Sequence, residues 1–170
     1  MQICTERLLL RHPKPIDAQS YLAIHNSEFV LCYNAMEKMT LEQVEQMFSG
    51  TCENTLLLES AADGKILGAV FMQEDSLRYG VESVELSYFL DESATGCGYM
   101  REAMRGLISH LFTMGTKCVA SRVFVPNKAS HKLLASLGFH RDGVIPMCVK
   151  GYGGQIFDDT LYSVLAEQWK

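Results

Sequence analysis

The feature that most constrains the fold is a long amphipathic segment between two β-type runs. Over residues 99–114, apolar side chains recur at the spacing of a helix with one buried face, and Gly115 ends the run. Residues 81–90 alternate and are rich in Val, Leu, Tyr and Phe, and residues 118–125 also have the pattern of a strand. This order predicts a helix that crosses over between two strands of one sheet.

The rest of the chain supplies further strands and helices. The Asp63-Gly64 pair predicts a hairpin turn, Thr40 with Gln43 forms a capping-box pattern, and Asp17 is predicted to cap the first helix. The other predicted strands are residues 6–11, 54–59, 66–73, 139–149 and 157–166, and the other predicted helices are residues 17–33, 40–50 and 130–137. We therefore expect a single α+β domain over residues 1–170, with a mixed, mostly antiparallel sheet of six to seven strands flanked by about four helices.

Charge and composition exclude several classes of partner. The 15 basic and 20 acidic residues give a net charge of −5, without a basic stripe that could neutralise a phosphate backbone, so nucleic acid is not an expected partner. No apolar stretch approaches the roughly 18 residues that cross a bilayer, so we expect a cytoplasmic protein without a membrane partner. The six cysteines and five histidines are scattered without metal-ligand spacing, which predicts no metal site.

A glycine-rich segment between a strand and the long helix carries the chemical signal. It comprises Thr95, Gly96, Cys97, Gly98, Tyr99 and Met100. Glycines let the backbone approach a ligand closely, and the first free N–H groups of a helix lie at the positive end of its dipole, so such a turn can cradle a pyrophosphate. Taken alone, the segment could equally be a plain strand-to-helix connection. Arg101 stands where a dinucleotide fingerprint needs its third glycine, and no Gly-Lys-Ser/Thr of a P-loop follows.

In this context the segment resembles the GNAT acetyltransferases, whose motif is R/Q-x-x-G-x-G/A after a strand ending in V/L-D-P-E. Leu90-Asp91-Glu92 ends the strand and Gly98 matches the first glycine, whereas Thr95 and Met100 depart from the motif. The ribosomal-protein N-terminal acetyltransferase type (RimJ/RimL-like) reads W-G-x-G-Y-A-T-E-A here. The residues in that register are Gly96, Gly98, Tyr99, Glu102 and Ala103.

A second match lies downstream, where the family reads N-x-x-A-x-x-x-Y-x-x-x-G-F. Asn127 begins the motif, and Ser130 occupies the alanine position, as is usual in the ribosomal-protein type. Leu134 stands at the position of the tyrosine that often reprotonates the coenzyme A thiolate, and leucine cannot donate a proton. The segments Thr5 to Arg11 and Asp159 to Ser163 also resemble that type, so the resemblance spans nearly the whole chain.

The resemblance implies a GNAT-like sheet in which a central strand pair splays apart to form a coenzyme A cleft, with acetyl-CoA as cosubstrate. It implies that Glu85 acts as the base that deprotonates the amine, directly or through water, and that Ser130 contacts the thiol sulfur. A backbone N–H near Tyr88 to Leu90 would stabilise the oxyanion. The implied cofactor-binding residues are Tyr88, Phe89, Leu90, Thr95, Gly96, Cys97, Gly98, Tyr99, Met100, Asn127 and Ser130.

The predicted function is therefore transfer of an acetyl group to a primary amine, either a protein N-terminal amine or a small-molecule amine, by direct attack in a ternary complex. The chain is expected to act as a monomer or homodimer. The alternative is a non-catalytic acyl-CoA-binding regulatory module, which the departures at Thr95, Met100 and Leu134 motivate. A nucleotide-binding regulatory domain is disfavoured by the missing glycine and lysine.

Overall fold

The computed structural model describes residues 1–50 and 52–170, which form one eight-stranded sheet and five α-helices. Within these residues the strands lie in the order β1-β2-β3-β4-β5-β6-β8-β7, and every neighbouring pair is antiparallel except β5 and β6. The strands are β1 Gln2–Cys4, β2 Leu8–Arg11, β3 Thr55–Ser60, β4 Ile66–Glu74, β5 Ser83–Leu90, β6 Cys118–Phe124, β7 His140–Lys150 and β8 Ile156–Leu165. The helices are α1 Ala18–His25, α2 Glu28–Leu31, α3 Leu41–Ser49, α4 Tyr99–Thr113 and α5 Lys128–Ser136.

The predicted mixed sheet and its crossover are confirmed, because α4 joins the parallel strands β5 and β6. The predicted number of six to seven strands was too low, since β1 is a three-residue edge strand that is too short for a periodic pattern. The segment predicted as one helix over residues 17–33 forms α1 and α2. Ser27 separates them, because its hydroxyl accepts a hydrogen bond from the Val30 N–H at 3.2 Å and begins a new helix.

The Asp17 side chain does not cap α1, contrary to prediction. Its carboxylate instead accepts hydrogen bonds from both Arg11 terminal nitrogens, at 2.7 and 2.8 Å, and from the Lys14 N–H at 2.7 Å. Arg11 also pairs with Glu59 on β3. A buried carboxylate is retained where it is paired with a charge, so this side chain ties the first helix to the sheet rather than satisfying its helix end.

The sheet separates two apolar cores. One lies under α4 and α5, and its fully buried residues include Leu86, Met104, Leu107 and Leu134. The other lies under α1 and α3, where Val44, Leu57 and Phe89 pack together. Alternate residues of β5 therefore face different cores, with Leu86 and Tyr88 on the α4 side and Phe89 on the α1 side.

Strands β5 and β6 pair only at their beginnings. The register joins Ser83 to Cys118 and ends with Glu85 and Ala120, although both strands continue for several residues. At the point of divergence the Ser121 hydroxyl donates a hydrogen bond of 2.9 Å to the Leu86 carbonyl. The far halves of the two strands thus form the sides of a wedge in the middle of the sheet, as the GNAT-like prediction required.

Candidate functional site

A cavity of about 1150 Å³ opens at this wedge. Its walls are the end of β5, the loop after it, the first turns of α4 and α5, and the helix α2. Ten of the predicted cofactor-binding residues line it, namely Tyr88, Phe89, Leu90, Thr95, Gly96, Gly98, Tyr99, Met100, Asn127 and Ser130. Cys97 and Glu85 are predicted site residues that do not line it. The wedge therefore brings together two motifs that are about 30 residues apart in the chain.

The loop that precedes α4 presents backbone groups to the cavity. Gly96 and Gly98 have φ values of 74° and 82°, a left-handed conformation that side-chain-bearing residues rarely adopt. Among the described residues, no side chain caps α4 at Gly98, so the first N–H groups of this 15-residue helix stay free at its positive end. Met100 is only 7% exposed and packs into the core, so the bulk of its side chain lies mainly away from the cavity.

An ion pair from the N-terminal segment holds this loop in place. The Glu102 carboxylate on α4 accepts hydrogen bonds from the Thr5 hydroxyl at 2.6 Å, the Arg7 N–H at 2.7 Å and the Arg7 Nε at 2.7 Å. A second nitrogen of the Arg7 guanidinium donates to the Cys97 carbonyl at 3.0 Å, and the group lies 4.6 Å from the centre of the Tyr99 ring. The sequence showed Thr5, Arg7 and Glu102 as separate motif positions, and only the fold reveals their contact.

Burial raises the pKa of Glu102, but the hydrogen bonds from Thr5 and Arg7 outweigh burial, and the net pKa lies below its ordinary value of 4.5. The carboxylate therefore stays ionised at neutral pH, and the Arg7 contacts to the loop persist there.

The second helix at the cavity begins differently. The Asn127 side chain accepts a hydrogen bond from the Ser130 N–H at 3.1 Å and so caps α5. Ser130 lies in the first turn, lines the cavity and is half-buried. Behind it the Tyr88 hydroxyl is buried, and burial raises the pKa of Tyr88 to about 12. Leu134 is fully buried in the core under α5, so the position of the family tyrosine does not reach the cavity.

Three cations line the cavity, although the sequence analysis did not select them. They are Arg101 on α4 and Lys128 and Lys132 on α5. Isolated basic residues have no pattern that marks them in a sequence with an acidic net charge. Their placement gives the cavity a positive side that complements phosphate groups.

Glu85 lies on the opposite face of the sheet from Ser130, in a polar cluster. It is 6% exposed, and the Arg122 Nε lies 3.0 Å from each carboxylate oxygen. Asp159 on β8 and Cys148 on β7 are close to Arg122, and burial raises the pKa of both groups. Glu85 shares its face of β5 with Phe89, which lines the cavity about 13 Å further along the strand.

Two other kinds of site are absent from the described residues. Residues 1–50 and 52–170 contain no group of three or more His, Cys, Asp or Glu side chains that could hold a metal ion. None of the helices in these residues combines the length and the apolar character that a membrane span requires.

Comparisons with known proteins agree on one protein family. Residues 7–140 match the acetyltransferase (GNAT) domain family. An uncharacterized N-acetyltransferase, YoaA of Bacillus subtilis (strain 168), is 24% identical, with 95% of this chain and 94% of YoaA covered.

Two solved structures share the fold. The ribosomal-protein-S5-alanine acetyltransferase of Vibrio fischeri superposes with a TM-score of 0.86 at 22% identity, over 100% of this chain and 99% of that one. Mycobacterium smegmatis RimJ, solved with CoA-disulfide, gives a TM-score of 0.84 at 20% identity, over 98% and 88%.

Proposed function

Because the chain belongs to the GNAT acetyltransferase family, we propose that it transfers the acetyl group of acetyl-CoA to a primary amine by direct attack in a ternary complex. The supporting observation is the wedge between β5 and β6, which opens onto the uncapped start of α4. The amide groups of a pantetheine arm can hydrogen-bond to an unpaired strand edge, and free N–H groups beside positive charge suit a pyrophosphate. This cavity offers both within about 1150 Å³.

Different residues of the wedge would serve different steps of the reaction. The Leu86 carbonyl points toward β6, since it accepts the Ser121 hydroxyl, and the alternation of a strand therefore turns the backbone N–H groups of Tyr88 and Leu90 the same way. Beyond Glu85, β6 provides no ladder partner for β5, so one of these N–H groups is free to stabilise the oxyanion of the tetrahedral intermediate. Ser130 stands at the other side of the wedge, where its hydroxyl can donate to the departing thiolate.

We assign Glu85 to the removal of the amine proton. Amide formation needs a neutral amine, whereas the pKa of a free α-amino group is about 8 and that of lysine about 10. Glu85 does not line the cavity, so it acts through an intervening water rather than by direct contact. Its ion pair with Arg122 fixes the direction of the carboxylate.

For the acceptor we propose a protein N-terminal amine rather than a small molecule. The fold is shared with the ribosomal-protein-S5-alanine acetyltransferase and with RimJ. On this chain, α2 leaves the cavity open on the side of Glu28, Phe29 and Tyr33, all of which line it and are exposed. An exposed aromatic pair with a carboxylate suits the first residues of a peptide that carries a positive terminus.

Glu85→Gln tests the assignment, because glutamine keeps the shape of the side chain but cannot accept a proton. Turnover should fall by roughly 10²-fold or more, while the Kd for acetyl-CoA stays unchanged. The rate should partly recover at high pH, where the amine is already neutral. Glu82→Gln is the matched control, because Glu82 is exposed and precedes β5. A Glu85→Gln enzyme with the turnover and pH profile of the wild type would remove Glu85 from the mechanism.

Binding and acceptor class need separate experiments. Calorimetry should detect micromolar or tighter binding of CoA and no comparable binding of NAD or ATP. A screen of acetyl transfer to peptides, aminoglycosides and polyamines should give the highest kcat/KM for a peptide with a free N-terminus. Loss of activity on N-terminally blocked peptides would support the α-amine, whereas a preference for a polyamine would contradict it.

A further inference from the structure

The Tyr88 hydroxyl is a buried polar group at the edge of the cavity. Among residues 1–50 and 52–170 it has no hydrogen-bond partner, although a buried hydroxyl without one is costly. Two hydroxyl groups, those of Ser130 and Tyr162, lie close enough to influence it. Of these two neighbours Ser130 is the one that lines the cavity, as Tyr88 itself does, so both residues adjoin the place where a thioester would bind.

The neighbouring hydroxyl of Tyr162 already has a hydrogen-bond partner, the side chain of His131. The Val125 carbonyl can only accept, so the His131 Nε2 that lies 3.0 Å from it carries the ring proton. In the neutral ring Nδ1 is then an acceptor, and the Tyr162 hydroxyl 2.8 Å away must donate to it. Tyr162 thus has no proton to offer Tyr88, and the Tyr88 hydroxyl keeps its own proton to donate. Of the two neighbouring hydroxyl oxygens, the one that lines the cavity and can accept this proton there is that of Ser130.

We propose that Tyr88 is a positioning residue for cleavage of the thioester. When coenzyme A is bound, its buried hydroxyl donates a hydrogen bond to the Ser130 oxygen, which directs the Ser130 O–H at the sulfur of the departing coenzyme A. The serine hydroxyl rotates freely about its own bond, and with its oxygen occupied from behind, its proton points into the cavity. Leu134 leaves the enzyme without the family tyrosine, and Tyr88 and Ser130 together replace the hydrogen bond that such a side chain would give.

Tyr88 is not a proton source in this scheme. The attacking nitrogen forms the new C–N bond and loses its proton to the base, the C–S bond breaks, and sulfur keeps the electron pair. A thiol has a pKa near 8.5, so moving a proton from a tyrosine whose pKa is about 12 to the thiolate would be unfavourable by roughly 3 to 4 pKa units. The raised pKa of Tyr88 instead keeps it neutral and therefore a hydrogen-bond donor at every working pH.

The proposal rests on the proposed function, and its test separates the two. We would measure the pKa of the CoA thiol bound to the wild-type protein from the ultraviolet absorbance of the thiolate. The bound pKa should lie below that of free CoA, and in Tyr88→Phe it should rise by roughly 0.3 to 1 pKa unit. Failure of the wild type to bind CoA would count against the proposed function, whereas binding with no difference between wild type and Tyr88→Phe would overturn only the role of Tyr88.

Kinetics provide a second readout. Tyr88→Phe should lower kcat for acetyl transfer roughly 3- to 10-fold with an unchanged KM for acetyl-CoA. Because Tyr88 acts through Ser130, the double variant Tyr88→Phe with Ser130→Ala should be no slower than Ser130→Ala alone within about twofold. Independent, multiplying losses would contradict the proposal.

Stability distinguishes this role from a structural one. The free protein loses only an unpartnered hydroxyl in Tyr88→Phe, so its Tm should stay equal or rise. A Tm lower by more than roughly 3 °C, or failure to fold, would mean that the hydroxyl already makes a structural hydrogen bond, and would overturn the proposal. Tyr162→Phe is the control, because it removes a neighbouring hydroxyl that is hydrogen-bonded to His131, and its Tm should therefore fall. It should leave the thiol pKa unchanged.

Discussion

Two helices begin at the same cavity, and their first turns are built in opposite ways. Helix α5 starts at Asn127, whose side chain accepts the hydrogen bond of the Ser130 N–H at 3.1 Å. Helix α4, the longer of the two, starts at Gly98 in a left-handed conformation, and no side chain within the described residues occupies its N–H groups. Both helix N-termini carry the same partial positive charge, so they differ in which groups remain free to contact a ligand.

The two helix starts contribute different groups to ligand binding. The start of α4 offers backbone donors, and the residues around it serve to hold the loop, as Arg7 and Glu102 do. The start of α5 is internally satisfied, and it therefore offers a side chain, Ser130, whose position is fixed by the cap. The start of α4 is therefore suited to a charged group such as a pyrophosphate, and the start of α5 to a single reacting atom.

The largest expected effect comes from placing a charge at the open helix end. Gly98→Asp adds a carboxylate where a pyrophosphate would bind, whereas Gly98→Asn adds a neutral group of equal size. Both residues tolerate a left-handed backbone, and a Cβ here would lie 3.5 Å from the Arg7 guanidinium, an ordinary contact. The Kd for CoA should rise roughly 100-fold or more for Asp and about 10-fold for Asn. Equal losses in the two variants would refute an electrostatic role.

Removal of the cap at the other helix should give a smaller and different effect. Asn127→Ala should cost about 1 kcal/mol of unfolding free energy, because the Ser130 N–H loses its partner. The looser first turn should lower kcat several-fold, with little change in the KM for acetyl-CoA. Thr40→Ala is the control, since Thr40 caps α3 away from the cavity with a hydrogen bond of 3.3 Å from the Gln43 N–H. It should lower stability by a similar amount and leave kcat unchanged.

The smallest effect concerns acid. The pKa of Glu102 is lowered in the folded protein, so its contribution to stability is complete above its ordinary value of 4.5 and is lost as the pH falls through the lower folded value. Affinity for CoA should therefore weaken as the pH falls through the folded pKa of Glu102, which lies below 4.5, because the protonated side chain no longer holds Arg7 against the loop. In Glu102→Gln this acid-dependent component should be missing and affinity should be slightly lower at neutral pH. An unchanged acid profile in that variant would assign the loss to other groups.

Much of this arrangement could be predicted from the sequence, because it depends on residues that are close together in the chain. The crossover of α4 follows from its periodicity, and the Thr40 cap from adjacent residues, since the Thr40 N–H donates to the Gln43 side chain at 2.8 Å. Likewise, the glycine-rich segment from Thr95 to Met100 is contiguous, so its motif can be recognised without knowledge of the fold. Cys97 lies in that motif but outside the cavity lining, and its carbonyl accepts a hydrogen bond from Arg7.

What could not be predicted depends on contacts between distant segments. The bond between Arg7 and Glu102 spans 95 positions, and that between Glu85 and Arg122 spans 37. Each pair is set by strand register and helix placement, which the residues themselves do not encode in any short pattern. The same holds for Tyr88 and Ser130, which come from distant segments and line the same cavity.

The wedge leaves two strand edges inside the sheet, and this has a consequence for the ligand-free protein. Exposed strand edges readily pair with other chains, and proteins normally protect them. Here a ligand that occupies the cleft would also shield the wedge-facing edge of β5 from solvent, whereas the other edge of β5 is paired with β4. The amide hydrogens of Tyr88 and Leu90, which face the wedge, should exchange rapidly in the empty protein and slowly with CoA bound, and the empty form should aggregate more readily on storage. The cellular supply of coenzyme A would then set the lifetime of the protein as well as its turnover.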